Sequence, residues 1–289
     1  MKKKILVFGS MGMAGFTIST YLKERGHLVV GFARRKSPVV DTIIGDITDV
    51  GFVKKILSEG DYDYIVNCIG ILNNKAEENK SNAVLINSFF PHLLADYTKE
   101  MKTKVIHMST DCVFSGKKGS YSELDLPDGI TFYDRTKALG ELNDKKNITL
   151  RNSIIGPDVN KDGIGLFNWF MKNQKGGEIS GYKQAFWTGL TTLELAKVID
   201  YIINYDNNFF GLVNMVNNEK ISKYELLILF NKYFKNNNIK VNENNSVKVD
   251  KSLLRNNFSI DYLIPSYEEM IREMSVWINS NKEFFLHYD

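Results

Sequence analysis

Short apolar runs rich in β-branched residues recur along most of the chain, and amphipathic segments separate them. Seven runs predict strands, at Ile5–Phe8, Leu28–Phe32, Thr42–Ile44, Tyr64–Ile69, Val105–Met108, Ile148–Leu150 and Leu212–Met215. Apolar residues at three- and four-residue spacing predict helices at Gly12–Arg25, Val50–Glu59, Ser81–Met101, Tyr133–Asn143, Leu193–Asn204, Ser222–Phe234 and Tyr267–Lys282. This alternation predicts an α/β fold with a doubly wound parallel sheet that helices cover on both faces.

The alternation breaks after about Ile154, where the chain becomes rich in Gly, Trp and Phe and later in Asn. We therefore expect a main domain from residues 1–153 and 183–204, and a smaller substrate-binding subdomain from residues 154–182 and 205–289. The stretch Asn231–Asn245 is dense in Asn and Lys, which predicts a solvated connection.

The charge balance and the lengths of the apolar runs limit the partners of the chain. The chain has 37 Lys and Arg against 34 Asp and Glu, and the basic residues are spread along it, so no nucleic-acid partner is implied. No stretch reaches the roughly 18 apolar residues of a membrane helix. We expect a cytoplasmic protein that does not span a membrane.

The residue types that bind metals lack the spacing that metal sites need. The two cysteines, Cys68 and Cys112, accompany apolar runs and are expected to be reduced. The four histidines are scattered along the chain, so no catalytic metal is expected.

A glycine-rich turn follows the first strand and opens the first helix. Its sequence, Gly9-Ser10-Met11-Gly12-Met13-Ala14-Gly15, stands where a dinucleotide-binding turn would stand. Glycine lets the backbone approach a pyrophosphate, and the helix N-terminus supplies N–H groups and a positive dipole end. We expect Gly9, Ser10, Met11, Gly12, Met13 and Gly15 to contact the cofactor in a Rossmann-type fold. The alternative is a glycine-rich turn without a ligand.

The end of the second strand indicates which dinucleotide is bound. Arg34 and Arg35 stand where an NAD-binding protein usually has a carboxylate, and arginines pair well with a 2′-phosphate. We predict NADP(H), with NAD(H) and a merely solvated basic loop as the alternatives. Asp46 and Ile47 are expected beside the adenine, although Asp46 is equally suited to cap a helix. Cys68, Ile69 and Gly70 are expected to border the dinucleotide after the fourth strand.

The reactive groups are predicted at the fifth strand and the helix after it. Tyr133 and Lys137 are four residues apart on a predicted helix, so they share one face. An ammonium about 5 Å from a phenol, at an effective dielectric near 20, lowers the phenol pKa by about 2 units. Tyr133 would then act as a general acid, and Thr110 or Ser109 would hydrogen-bond the substrate oxygen.

These motifs resemble the extended short-chain dehydrogenase/reductase family. Ser109–Gly116, Tyr133–Glu141 and Leu150–Ser153 are similar to the dTDP-4-dehydrorhamnose reductase branch. The resemblance implies hydride transfer from the nicotinamide to the C4 ketone of a nucleotide-linked 6-deoxysugar. It also implies that Tyr133 protonates the oxygen, that Lys137 holds the nicotinamide ribose, and that Thr110 assists.

The resemblance places further side chains beside the sugar, namely Ser109, Asp111, Cys112, Asn152 and Ile155. Trp187 is a candidate for the sugar's apolar face, with core packing as the alternative. Cys112 replaces a tyrosine that is common in the branch, and Ile154–Pro157 replaces an aromatic-bearing segment. The chain is more similar to reductases of UDP-linked 2-acetamido-2,6-dideoxy-4-ketohexoses of surface polysaccharide pathways in Ser153–Gly156, Trp169-Phe170, Gly181-Tyr182 and Thr188–Thr192.

Two other functions fit the same motifs. An epimerase or dehydratase that retains NAD would use the same Tyr133 and Lys137, but Arg34 and Arg35 disfavour it. A cofactor-sensing regulatory subunit would not need the intact Tyr133 and Lys137 pair. The resemblance is compatible with a homodimer.

Overall fold

A computed structural model of the chain describes residues 2–173, 177–205 and 209–288. Its strands are β1 (Lys4–Phe8), β2 (Leu28–Ala33), β3 (Asp41–Ile44), β4 (Tyr64–Asn67), β5 (Lys104–Thr110), β6 (Ile148–Asn152), β7 (Ile154–Ile155), β8 (Glu178–Trp187), β9 (Leu190–Thr191), β10 (Gly211–Asn214), β11 (Ile221–Ser222) and β12 (Lys240–Asp250). Its α-helices are α1 (Met13–Glu24), α2 (Val50–Glu59), α3 (Asn73–Glu78), α4 (Lys80–Ala83), α5 (Phe90–Thr98), α6 (Phe132–Leu139), α7 (Leu166–Lys172), α8 (Thr192–Asn204), α9 (Lys223–Phe234) and α10 (Tyr267–Ser280).

The central sheet contains all seven predicted strands. Its order is β10-β6-β5-β4-β1-β2-β3, and every neighbouring pair is parallel. The residues Ile5–Phe8 of β1 are fully buried, as expected for a central strand with helices on both faces. The prediction of a Rossmann-type doubly wound sheet is confirmed.

The smaller region is built on a three-stranded sheet of order β11-β8-β12. The prediction that Asn231–Asn245 is a solvated connection is wrong, because α9 continues to Phe234 and β12 begins at Lys240. β12 pairs in parallel with β8 and lies at the edge of this sheet. An edge strand keeps polar side chains in solvent, so its composition does not distinguish it from a loop.

Two predicted helices have different bounds in the structure. The segment predicted as Ser81–Met101 is helical from Lys80 to Thr98, with a π-helix at Val84–Phe89 between α4 and α5. The segment predicted as Tyr133–Asn143 ends at Leu139, because Gly140 caps it. A Cβ on Gly140 would lie 1.9 Å from the Asn87 carbonyl oxygen, so only glycine permits this packing.

The two regions share one hydrophobic core. One continuous cluster includes Ile5 of β1, Val198 of α8 and Trp277 of α10. The residues of the main domain and the smaller subdomain also differ from the predicted ones, because β10 joins the central sheet and all of β8 joins the small sheet. The predicted limits at residues 1 and 289 fall outside the described residues. Among the described helices, none is long and apolar enough to cross a membrane.

Candidate active site

The predicted cofactor segments all lie at the carboxyl end of the central sheet. They follow β3, β2, β1 and β4, which are adjacent in space, and α6 follows the next strand, β5. This edge is where open parallel α/β sheets bind their ligands.

The glycine turn after β1 is built for close backbone packing. Gly9 has φ +81°, a left-handed conformation that favours glycine. A Cβ on Gly15 would lie 2.1 Å from the Gly9 carbonyl oxygen, whereas Gly12 has ordinary space around it. No side chain of the described residues caps the N-terminus of α1.

Ser10 of this turn carries a buried polar atom that has no partner among the described residues and lies beside β2. Its hydroxyl is fully buried, and the described residues offer it no hydrogen-bond partner. Gly31 of β2 leaves the room for it, because a Cβ there would lie 2.4 Å from Ser10 Oγ. A buried hydroxyl without a partner is destabilising, so this one fits a ligand with acceptor oxygens at the turn.

The arginines after β2 are exposed, and carboxylates stand near both. Arg34 lowers the pKa of Asp46, although hydrogen bonds from Thr48 to the Asp46 carboxylate contribute more. Asp46 accepts from Thr48 through its backbone N–H and its hydroxyl, at 3.0 Å and 2.9 Å, while Asp49 is the N-cap of α2. Asp46 therefore orders the turn before α2, and the helix-capping alternative is wrong.

The next residue, Ile47, packs into the second hydrophobic cluster of the protein and is 4% exposed. Its predicted contact with the adenine stays a prediction.

The loop after β4 is held by two buried asparagines. Asn67 Oδ1 accepts from the Ile69 backbone N–H at 3.2 Å. Asn87, on the π-helix, accepts from the Ile71 N–H at 2.8 Å and donates to the Ile71 carbonyl oxygen at 3.0 Å. Asn87 also donates to Thr136 Oγ1 of α6 at 3.1 Å. One amide thus ties this loop to the helix of Tyr133.

The other two residues predicted in this loop, Cys68 and Gly70, differ in burial. Burial raises the pKa of the Cys68 thiol to about 12, so the thiol is uncharged. Gly70 is exposed, and a Cβ on it would only approach Asn87 Oδ1 to 3.5 Å. The structure therefore does not require glycine at position 70.

Tyr133 and Lys137 lie on one buried face of α6, as predicted. The helix begins with a capping box of Thr131 and Asp134, which fixes Tyr133 in its first turn. The Thr110 hydroxyl lies near the Tyr133 phenol and acts to lower its pKa. Thr110 itself donates to Asp111 Oδ1 at 3.2 Å and accepts from the Cys112 N–H at 3.1 Å.

The expected lowering of the Tyr133 pKa is wrong for the ligand-free protein. Burial raises the pKa of Tyr133, and the Thr110 hydrogen bond offsets only part of that rise. Lys137 instead donates to the Met108 carbonyl oxygen at 2.7 Å. Burial also lowers the pKa of Lys137 to about 8, which weakens the positive charge that the argument required. Tyr133 therefore keeps its proton at neutral pH.

Ser109 is committed to a buried ion pair. Its hydroxyl donates to Glu141 Oε1 at 2.6 Å, and Arg151 donates to both carboxylate oxygens of Glu141 at 2.8 Å and 2.6 Å. Arg151 also lies over the Phe114 ring at 4.9 Å. The proton of Ser109 already serves this network, and its predicted contact with the substrate stays a prediction.

Three of the predicted substrate residues lie close to Thr110. Asn152 is its register partner on β6, and its buried Nδ2 has no partner among the described residues. Cys112 packs beside Tyr133, and burial raises the pKa of its thiol to about 12. Asp111 is 5% exposed, and burial raises the pKa of its carboxyl despite nearby Lys251 and Lys223.

Ile155 and Trp187 lie in the shared core instead. Both belong to the largest hydrophobic cluster, and Trp187 packs on Tyr267 with ring centroids 5.6 Å apart. Their role in this structure is packing, and a contact with the sugar stays a prediction.

Sequence reasoning missed Asn87, Lys223 and Lys251. The π-helix gave no signal in the apolar spacing. Lys223 begins α9 and Lys251 follows β12, and both act on the pKa of Asp111; only the first part of β12 lies in the predicted connection Asn231–Asn245. The stem of Lys251 lies against Gly116, where a Cβ would be 2.9 Å from Lys251 Cγ.

The parallel sheet, the glycine turn and the paired Tyr133 and Lys137 define an extended short-chain dehydrogenase/reductase. Within that class, the chain belongs to the family described as RmlD substrate binding domain, which matches residues 2–259.

Known proteins similar to the chain include a protein of Haloferax volcanii described as probable low-salt glycan biosynthesis reductase Agl14. It is 36% identical over 139 residues, which are 47% of this chain and 46% of that protein. The chain thus spans about half the length of the curated relatives it matches first.

Solved structures cover more of the chain. A structure described as a hypothetical dTDP-4-dehydrorhamnose reductase from Sulfolobus tokodaii is 26% identical, with a TM-score of 0.73, over 88% of this chain and 92% of that chain. The dTDP-4-dehydrorhamnose reductase from Bacillus anthracis in complex with NADP is 21% identical, with a TM-score of 0.80, over 96% and 99%. The latter supports the fold alone.

Proposed function

We propose that the protein reduces the C4 ketone of a nucleotide-activated 6-deoxy-4-ketohexose with NADPH. The observation that carries the proposal is the buried Tyr133 phenol near the Thr110 hydroxyl at the carboxyl end of β5, on the same sheet edge as a glycine turn with a buried unpartnered hydroxyl. Relatives described as dTDP-4-dehydrorhamnose reductases and glycan biosynthesis reductases support the substrate class.

The residues at the sheet edge fit a dinucleotide. Gly9, Gly12 and Gly15 would let the pyrophosphate approach the uncapped end of α1, with the Ser10 hydroxyl donating to it. Arg34 and Arg35 would pair with a 2′-phosphate, which favours NADPH over NADH. When bound, the cofactor supplies the hydride that reduces the carbonyl carbon.

Tyr133 acts as the proton donor in this proposal. Its raised pKa keeps the phenol protonated, which is the form required before a proton passes to the carbonyl oxygen. Thr110 is itself held by the Cys112 N–H and by Asp111, and its hydroxyl lies near the phenol. Lys137 would hold the nicotinamide ribose beside them.

The substrate side of the site would combine polar groups from both regions. The unpartnered Asn152 amide beside Thr110 is suited to a sugar hydroxyl. Lys223 and Lys251 bring positive charge towards buried Asp111, which suits the diphosphate of a nucleotide sugar. We therefore assign substrate binding to the smaller region together with the ends of β5 and β6.

The test is to incubate the protein with NADPH and dTDP-, UDP-, GDP- and CDP-linked 4-keto sugars and follow the absorbance of NADPH. A loss stoichiometric with product supports the proposal. Isomerised or dehydrated sugar without loss of NADPH would favour an epimerase or dehydratase that retains NAD. Cofactor binding without turnover of any sugar would favour a regulatory subunit.

Tyr133→Phe tests the assigned chemistry. We expect a loss of kcat of about 10²- to 10⁴-fold with cofactor affinity near that of the unchanged protein. Tyr205→Phe is the matched control, because Tyr205 is 59% exposed and lies at the end of α8. Turnover retained in Tyr133→Phe would exclude Tyr133 as the proton donor.

A further inference from the structure

A chain of buried hydrogen bonds runs from the loop after β4 to Lys137. The Ile69 N–H donates to Asn67 Oδ1 at 3.2 Å, and Asn67 Nδ2 lies 3.1 Å from His107 Nδ1. His107 Nε2 lies 3.5 Å from Lys137 Nζ, which donates to the Met108 carbonyl oxygen at 2.7 Å. Asn67, His107 and Lys137 are all at most 4% exposed, so solvent does not replace these partners.

The backbone fixes the direction of every bond in this chain. The Ile69 N–H is only a donor, so the oxygen of the Asn67 amide must face it, and the amide nitrogen must face His107. The amide nitrogen is only a donor, so His107 Nδ1 must carry a lone pair. Burial lowers the pKa of His107 well below its ordinary value, and the neutral ring therefore has its proton on Nε2.

That proton points at Lys137. An ammonium has three N–H groups and no lone pair, so it would face the His107 Nε2–H donor to donor. A neutral amine accepts that proton and still donates to the Met108 carbonyl oxygen. We propose that Asn67 and His107 favour the neutral amine form of Lys137 over the ammonium, and that charging Lys137 requires the Asn67 amide to turn over and release the Ile69 N–H.

The other ionisable groups around Lys137 act in both directions. Glu141, after α6, favours the ammonium, while burial opposes it and has the larger effect. Cys68, after β4, is an uncharged thiol near neutrality and adds little. Glu141 is also engaged by Arg151, which weakens its pull on Lys137. Tyr133 on α6 keeps its proton, and His92 on α5 acts on His107 only by lowering its pKa further. The net result is the lowered Lys137 pKa of about 8, which makes both charge states accessible near neutrality.

This series of hydrogen bonds therefore couples a proton on Lys137 to the Ile69 N–H, a backbone donor at the edge of the sheet where the cofactor is proposed to bind. An acceptor atom that binds the released Ile69 N–H stabilises the charged form of Lys137. Binding there takes up a proton, so affinity falls as pH rises above about 8, by up to tenfold per pH unit. This last step rests on the proposed function, because it needs a dinucleotide at this edge, whereas the direction of the hydrogen bonds does not.

Nitrogen NMR of the free protein tests the proposal without activity. Long-range 1H–15N correlation spectra report which ring nitrogen of His107 carries the proton, and we expect Nε2 at a pH above the Lys137 midpoint. The Lys137 side-chain 13Cε shift, assigned by its absence in Lys137→Arg, should titrate with a midpoint near 8 or below. A proton on Nδ1 above that midpoint, or a Lys137 midpoint near that of an exposed lysine, overturns the proposal.

Asn67→Asp should reverse the donor and acceptor roles along the hydrogen bonds from residue 67 through His107 to Lys137. A carboxylate accepts from both neighbours, so His107 should move its proton to Nδ1 and present a lone pair to Lys137. We expect the Lys137 midpoint to rise by more than one pH unit and the His107 proton to change nitrogen. An unchanged proton position on His107 in the folded variant, verified by circular dichroism, contradicts the proposal.

His92→Gln is the control. His92 lies on α5 and contacts the Leu139 carbonyl oxygen of α6 at 2.9 Å, but it does not touch Lys137. The Lys137 midpoint should stay within a few tenths of a pH unit. Isothermal titration of NADPH at several pH values then tests the coupling. If the NMR results hold and NADPH does not bind, the proposed function fails while the hydrogen-bond assignment stands.

Discussion

The buried position of Lys137 should make the stability of the folded protein rise with pH. Its pKa falls from 10.5 in an exposed lysine to about 8 in the folded chain. Between these values the unfolded chain binds more protons than the folded one, so the free energy of unfolding increases as pH rises. A difference of about 2.5 pKa units corresponds to about 3 kcal/mol in total, of which about 2 kcal/mol should appear between pH 7 and pH 9.5.

Urea unfolding of the unchanged protein and of Lys137→Met measures this contribution. Methionine keeps the length and apolar character of the stem but cannot titrate, so the difference between the two proteins isolates Lys137 from other groups. The buried tyrosines act in the opposite direction above about pH 10, because their raised pKa values keep them protonated in the folded state. The difference should therefore grow with pH over this range in favour of the unchanged protein. The free energy of unfolding of the unchanged protein minus that of Lys137→Met should increase with pH; a value that stays constant or decreases would contradict the low pKa of Lys137.

Three further outcomes are expected. Gly15→Ala should weaken NADPH binding at least tenfold by calorimetry, because its Cβ would lie 2.1 Å from a carbonyl oxygen of the turn, whereas Gly51→Ala on α2, with 3.5 Å to its nearest contact, should bind normally. Glu141→Gln should lower the free energy of unfolding in urea by about 3 kcal/mol, because Arg151 would keep a buried charge without its carboxylate; a loss below about 1 kcal/mol would show that the pair contributes little. Arg34→Glu should weaken NADPH far more than NADH in parallel titrations, and equal weakening would remove the assigned 2′-phosphate contact.

The central sheet could be predicted from sequence because its strands are apolar on both faces. β1 and β4 are short buried runs between turns, and that pattern predicts both that they are strands and that they lie in the centre of the sheet. β12 could not be predicted in this way, since an edge strand with polar side chains has the composition of a loop. The spacing of Tyr133 and Lys137 placed both on one helix face, which the structure bears out.

The spacing of residues in the sequence could not predict the hydrogen-bond partner of each polar side chain. Ser109 and Thr110 are adjacent on β5 and chemically alike, yet one donates to Glu141 and the other faces Tyr133. Successive strand residues point to opposite faces, and only the positions of Glu141 and α6 decide which hydroxyl serves the site. The pKa of Tyr133 was predicted with the wrong sign for a related reason, because burial is a property of the assembled fold.

The hydrophobic cluster that joins β1, α8 and α10 limits how the protein could be re-engineered. Grafting the carboxyl-terminal part of a relative onto this chain, in order to alter the proposed substrate preference, would exchange half of a single interior. Mismatched volumes at Trp277 or Val198 would then disturb the cluster that also contains Ile5 of β1, the strand that leads into the glycine turn. A successful chimera would have to carry its matching interior residues with it.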